Sequence, residues 1–213
     1  MAAAPEVFYT FDMEIPGNYL GGLLAILLLS SMVKLVTALS ILRVGIGLNG
    51  SGFGAAVLAL AAALSVFAVS PQLEPLGGPG LLFGGKQWPE AAVVERQFRP
   101  FMKRHTAPDT LERFEKMRRR LAPDAPKDEA TSPPFSTLIA AFIVSQLKEA
   151  FYVGFMFLIP FLVIDLLVAN VLLAIGTSQL SVAAVSLPFK ILLFFAVDGW
   201  TLVSEKLLQG YLL

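Results

Sequence analysis

The sequence predicts an all-α, membrane-associated chain: two long helical hairpins, made of four apolar helices, with a small exposed helical subdomain between them. Three observations carry that prediction. Of the 213 residues, 56% are hydrophobic and only 15% charged, with a mean hydropathy of +0.72, a balance that ordinary soluble domains rarely show. Four apolar runs stand out against the ~20 residues needed to cross the hydrocarbon of a bilayer. The positive charge lies elsewhere: eleven of the sixteen Lys and Arg residues fall within 71–136, leaving Lys34, Arg43, Lys148, Lys190 and Lys206 for the rest.

Residues 1–18 form an N-terminal segment without Lys or Arg, and the apolar run after it lacks an evident small-residue cleavage site. Insertion is therefore expected to rely on the first spanning segment itself. The first hairpin, 19–70, contains one run from about Tyr19 to Val44 that includes Lys34. A shorter, alanine-rich run follows from about Phe53 to Val69, closed by Pro71. "GIGLNG" (Gly45 to Gly50) matches G-x-G-x-x-G by letter, but a dinucleotide fingerprint needs a strand before it and a βαβ unit around it. Here the glycines follow an apolar helix and are read as turn residues.

Residues 71–136 read as the exposed subdomain. "LEPLGGPGLLFGG" is irregular loop. "PEAAVVERQFRPFMKRHTAPDTLERFEKMRRRL" predicts two short helices broken near Pro108, the second capped by Asp109 or Thr110, with Leu111, Phe114 and Met117 at helical spacing. "APDAPKDEATSPP" is a polar, proline-rich exit. The second hairpin, 137–213, holds a run from about Ala150 to Ile175 with Pro160 and Asp165, and a run from about Leu187 to Leu208 with Lys190 and Asp198. Pro160 is expected to break its helix by freeing the Met156 carbonyl. Pro188 is expected in a first helical turn with Ser186 as N-cap, which leaves Thr177 to Ser186 as an extended polar loop. Such a loop survives at membrane depth only when protein shields it or water fills the space beside it.

Several function classes are excluded or disfavoured. Zero net charge argues against nucleic acid, and the absence of cysteine removes disulfides, thiolate nucleophiles and cysteine metal sites. The single histidine, His105, cannot alone build a metal site, and among Lys103 and Arg104 it is expected to be exposed. Arg118 to Arg120, with Glu112 and Glu115 interleaved, read as a solvated helix end whose cations suit the C-terminal dipole. No cofactor and no enzymatic activity are expected, because nucleophile–base set, metal cluster and phosphate loop are all missing. The basic segment is slightly longer than the ~60-residue limit within which positive charge orients a membrane protein, so charge leaves orientation open.

The charges inside the apolar runs are the informative set. A carboxylate at the bilayer centre costs roughly 3 kcal/mol even on a lenient insertion scale, and such residues pair or line polar cavities. Lys34, Lys148 and Lys190 stand against Glu149, Asp165 and Asp198. With the second hairpin turning near Gln179, Asp165 lies opposite about residue 193, within one turn of Lys190, which predicts an Asp165–Lys190 pair. Lys34 has no acidic partner in its own hairpin and is expected to look to another hairpin or another subunit. These charges could serve an assembly or an ion relay (Asp165, Lys190 and Asp198 in an ion-coupled transporter subunit). The lack of further carboxylates or histidines suited to shuttling protons favours assembly.

"AFYVGFMFLIPFLVIDLLVANVLLAIG" followed by "SLPFKILLFFAVDGW" closely resembles the FliP/SctR family of the type III secretion export apparatus. "SSMVKLVTALSILRVGIGL", "FAVSP" and "FMKRHT" fit the same family in the same order. The length and the lack of an evident cleaved signal look more like the virulence-type (injectisome) branch than the flagellar one. The resemblance implies a core export-gate subunit in the bacterial inner membrane, multi-pass, with part of the assembly and residues 71–136 projecting to the periplasmic side. It implies about five copies joined by S-type (FliQ-like) and T-type (FliR-like) subunits around a channel for unfolded secreted proteins. The apparently transmembrane hairpins would then pack largely on neighbouring subunits, so that Asp165 need not face lipid. It also places a gate loop after Gly176, where the flagellar pattern has methionines and this sequence has Thr177, Ser178, Gln179 and Leu180. At Gln146 the family usually has glutamate. Glu149, three residues on, reads as that charge relocated on the same helical face.

Overall fold

The structure, a computed structural model, describes residues 19–48, 50–78, 91–121, 133–177 and 179–212. All regular structure among the described residues is helical. The elements are α1 (Tyr19–Ile46), α2 (Ser51–Leu73), a 3-10 turn (Glu74–Leu76), α3 (Ala91–Arg104), α4 (Pro108–Leu121), α5 (Phe135–Ile175), α6 (Val182–Ala196) and α7 (Gly199–Leu212).

α1 is a continuous apolar helix stopped by Gly47, whose φ of 97° only glycine adopts at little cost. The backbone N–H of Leu48 returns to the Arg43 carbonyl at 3.1 Å. The Arg43 side chain clamps the same turn, its Nε donating to the Leu48 carbonyl at 2.7 Å and an Nη to the Gly50 carbonyl at 3.1 Å. A last-turn arginine thus satisfies carbonyls that the helix end cannot. Of the predicted turn glycines, Gly45 lies inside α1 rather than in the turn. α2 runs through Pro71 rather than closing before it, and ends in the 3-10 turn and Gly77 and Gly78, both at positive φ.

The subdomain helices break at 105–107, as the sequence predicts, but α4 starts at Pro108 itself and not after a cap at Asp109 or Thr110. Proline suits that first position because its missing N–H has no partner there in any case. The Ala107 N–H is taken instead by Ser145 Oγ of α5 at 3.0 Å, which pins the break to the long helix.

α5 differs most from expectation. It is one helix of 41 residues, starting fifteen residues before the predicted apolar run and passing through Pro160 unbroken. Proline removes one hydrogen bond, that to the Met156 carbonyl, and the turns on either side are apolar and strongly helical, so the helix continues. It ends in Gly176 at φ 76°, with the Gly176 and Thr177 N–H groups returned to the Leu173 and Leu172 carbonyls. The predicted fourth helix is two. α6 begins at Val182, which puts Pro188 in its interior and not in a first turn. α7 departs from α6 at a 65° bend. Asp198 sits in the bend at φ 49° and its carbonyl accepts the Leu202 N–H at 3.1 Å. Gly199 follows because a Cβ there would run into the Phe194 ring.

Packing centres on α1 against α5. A Cβ on Gly154 would lie 2.7 Å from Ile41 Cδ1 and 3.1 Å from its Cβ, and one on Gly45 would lie 2.6 Å from Leu158 Cδ1. Glycine at these two points lets the helices close. One core gathers Leu35, Leu39, Leu42, Val57, Val153, Phe161, Phe194 and Leu207 from α1, α2, α5, α6 and α7. A second joins Val69 and Leu73 of α2 to Phe98, Phe101 and Met102 of α3 and Leu138 and Phe142 of α5. α5 thus runs from the subdomain core into the apolar helices as one rod. Among the described residues, two helices are long and apolar enough to cross a membrane, Gly52–Leu76 and Phe135–Ile175, or three if the bent α6–α7 pair counts as one.

Gly154→Val should lower the unfolding midpoint of the detergent-extracted protein by the equivalent of about 2 kcal/mol, through overpacking against Ile41. Gly52→Ala, where a Cβ meets nothing within 4 Å, should leave the midpoint unchanged or raise it.

Candidate functional site

The charges that the sequence singles out separate into two buried clusters and two exposed positions. The first cluster lies where α6 crosses α5 near the end of α1. Lys190, only 5% exposed, donates from Nζ to Asp165 Oδ2 at 2.6 Å and to the Gly45 carbonyl at 2.9 Å. Ser186, one turn before Lys190 on the same face of α6, donates to Asp165 Oδ1 at 2.6 Å. Both carboxylate oxygens and two of the three ammonium protons are engaged, which is the condition under which a buried pair holds. The Asp165 side chain retains 33% exposure, and it emerges among Leu162, Val163, Leu166 and Leu167, all at least half exposed. Ser186 was expected as an N-cap. With the helix starting five residues earlier, it is the carboxylate's second donor instead, and the register argument that matches Lys190 to Asp165 reaches Ser186 as well, since i and i+4 share a face.

The second cluster answers where Lys34 finds its partner. Its ammonium, fully buried, lies 3.0 Å from Glu149 Oε1 of α5 and 4.2 Å from the centre of the Tyr211 ring of α7. The approach to Glu149 is ionic rather than an aligned hydrogen bond, and the aromatic face adds a cation–π contact. Gly210 makes room for it: a Cβ there would collide with Glu149 and come within 2.7 Å of Lys34 Nζ. Gln146, 1% exposed, accepts from the Tyr211 hydroxyl at 2.8 Å and donates to the His105 carbonyl at 3.1 Å. A carboxylate could not make the second bond, so the amide at this position does what a glutamate would not. Glu149 carries the charge, one turn along.

His105 is half-buried, not exposed as expected. Its ring packs 4.6 Å from that of Phe101 and 5.7 Å, edge-on, from that of Tyr211. Burial first, and then the Lys34 charge, hold its pKa below the ordinary histidine value, against the opposing pull of the Gly210 carbonyl and Glu149. Tyr211, Gly210 and His105 carry no charge at neutral pH or lie beyond the apolar run, so a search for intramembrane charges passes over them.

Lys148 and Asp198 were expected to be buried and within the single chain they are not. Lys148 meets Asp109 of α4 at 3.4 Å with both side chains more than half exposed, and Asp198 stands exposed at the α6–α7 bend. Asp109 is held below the usual carboxylate range by its hydrogen bond to Lys148. Among the described residues, no group of three or more His, Cys, Asp or Glu is placed to hold a metal.

The loop after α5 is short, because α6 begins at Val182. Gly176 turns the chain, Thr177 Oγ1 returns to the Leu172 carbonyl at 3.4 Å, and Gln179 and Leu180 are exposed. Ser178 lies outside the described residues. Beside the loop an apolar groove of about 330 Å³ runs between α5 and α6, lined by residues that include Val168, Val171, Val185 and Phe189.

The sequence pattern of the FliP family matches residues 22–207. This chain belongs to that family. Among its relatives, the flagellar biosynthetic protein FliP of Bacillus subtilis is 34% identical over 87% of this chain and 84% of its own length. The virulence protein YscR of Salmonella typhimurium is 33% identical over 88% of this chain and 90% of its own. FliP of Cereibacter sphaeroides is 38% identical over 86% of this chain, which spans only 61% of that relative's length. Both ion pairs, Lys34–Glu149 and Lys190–Asp165, fall inside the matched region, and Gly210 and Tyr211 lie just beyond it.

Lys190→Met and Asp165→Asn should each destabilise the protein by about 3 kcal/mol, since each strands one member of a buried pair. The double variant should be no worse than the worse single one. Additive losses in a denaturation cycle would show that the two charges act independently.

Proposed function

We propose that this chain is a core subunit of a type III export gate in the bacterial inner membrane, of the virulence-type branch, whose role is structural and not catalytic. Several copies, with S-type and T-type partner subunits, would enclose a channel through which unfolded proteins leave the cytoplasm. Energy for transport would come from other components. The two-hairpin organisation, with residues 71–136 on the periplasmic side and a gate formed by Gly176 to Leu180, belongs to this reading. So does an assembly role for Lys34, Lys148, Glu149, Asp165, Lys190 and Asp198.

The observation that carries it is the setting of Asp165. An ion pair saturated on its protein side opens, one-third exposed, through an apolar face that runs from Phe151 to Ile175 and across Phe189, Leu192 and Phe195. Lipid against that face would leave part of a carboxylate in hydrocarbon. Helices of neighbouring subunits would cover the apolar residues and leave the carboxylate against protein or channel water. An exposed apolar surface of this extent marks an interface with protein or membrane. Family membership supports export-apparatus partners, and the names of the FliP and YscR relatives tie them to flagellar biosynthesis and virulence.

Co-expression with its genomic neighbours and native mass spectrometry of the detergent-extracted complex tests the reading. The expected result is a hetero-oligomer with about five copies of this chain, lost in Asp165→Asn. If Asp165→Asn instead assembles normally but no longer transports, the charges serve an ion relay and the structural reading is wrong. Complementation of secretion in a strain lacking the virulence-type subunit, and not in one lacking the flagellar subunit, is the result expected for the branch.

A further inference from the structure

The contacts between the subdomain and α7 converge on one titratable ring. His105 sits at the break between α3 and α4, its carbonyl bound by Gln146 and its ring against Phe101 and Tyr211. Tyr211 in turn stacks on Phe101 with the rings 9° from parallel, bonds Gln146 and covers Lys34. α7 therefore closes over the Lys34–Glu149 pair through its last turn, and Gly210 is the only side-chain size that fits there. A groove of about 300 Å³, lined by Gln72, Arg96, Gln97, Arg104, His105 and Tyr211 among others, gives solvent access to the imidazole.

Among the described residues, the charged and titratable groups facing His105 are Lys34 from α1, Arg96 and Arg104 from α3, Glu149 from α5 and Tyr211 from α7. α2 contributes only the neutral Gln72. Three cations against one carboxylate, already matched to Lys34, make this a poor place for another positive charge. We propose that His105 is a pH-operated latch on the C-terminal helix: neutral, it lets Tyr211 and Gly210 close over Lys34 and Glu149, and protonated, it sets a further cation against Lys34 and releases α7. The device needs no partner subunit. The proposed export role enters only in deciding which compartment's acidity counts.

The sign follows from linkage. Closure holds the imidazole below its ordinary value of about 6.5, so closure is fully favoured above that pH. It weakens as pH falls below it, by up to tenfold for each pH unit separating the free and closed midpoints.

His105 is the chain's single histidine, so one isotope-labelled histidine resonance of the full chain in detergent reports its titration without assignment. Hydrogen exchange of α7 amides, corrected for intrinsic pH dependence, reports closure between about pH 7.5 and about pH 5. The expected result is a midpoint below about 6.5 and α7 protection that falls by the factor linkage sets from that midpoint. His105→Gln should show flat protection, and Lys34→Met should raise the histidine midpoint. A wild-type midpoint at or above the ordinary value overturns the latch, as does an equal loss of protection in His105→Gln. Should His105→Gln fail to fold, the wild-type midpoint and the Lys34→Met shift decide on their own.

Discussion

An ammonium group held at 5% exposure must find its counter-charge and its acceptor oxygens inside the protein, and the way Lys190 does so arranges the second half of the chain. One side chain on α6 reaches a carboxylate on α5 and a carbonyl near the end of α1. The consecutive helices α5 and α6, and α1 far from both in sequence, are thereby fixed in register at a single point. The carbonyl is available because α1 ends at Ile46 and leaves it without an intrahelical donor, while Gly45, without a side chain, lets α1 approach α5 closely. Hydrophobic burial brings apolar helices together without fixing how far one slides along another. A saturated ion pair does fix it, because a shift of one turn would leave both charges unpartnered in low dielectric.

The same logic operates at the other end of α5, with different chemistry. There Lys34 meets Glu149 and the face of Tyr211, and neutral groups, Gln146 and the Tyr211 hydroxyl, complete the network. α5 carries the acidic member of both clusters on one uninterrupted rod. Its continuity through Pro160 matters for this reason: a sharp kink would turn the two acidic positions relative to each other. The exposed pair Lys148–Asp109 contributes far less, since water screens both partners.

How much of this was legible follows from what each signal depends on. Apolar run length is a one-dimensional quantity, and it gave the helical class. The Asp165–Lys190 approach followed from counting residues around a turn near Gln179, and it tolerated an error in how long the loop is, because a lysine stem spans several ångströms. Helix boundaries did worse. Pro71 was read as closing a helix, Pro160 as breaking one and Pro188 as sitting in a first turn, yet each lies in a helix interior, because strong apolar helix formers on both sides outweigh one missing hydrogen bond. The bend at Asp198 was invisible, since it depends on one residue at φ 49° and on the fit of Gly199 under the Phe194 ring. The Lys34 cluster was half legible: the unpaired lysine raised the question, but its answer needed the tertiary path of α7.

The pairing of Lys34 with Glu149 also imposes a timetable on biogenesis. About 115 residues separate the two positions, so at ~5–20 residues per second the lysine waits on the order of ten seconds for its carboxylate. Tyr211 and Gly210, which close over it, are made later still. Through that interval α1 carries an uncompensated positive charge in an apolar helix. The nascent chain must therefore keep α1 where water, lipid headgroups or the insertion machinery can solvate an ammonium, and seat it finally only once α7 has been made.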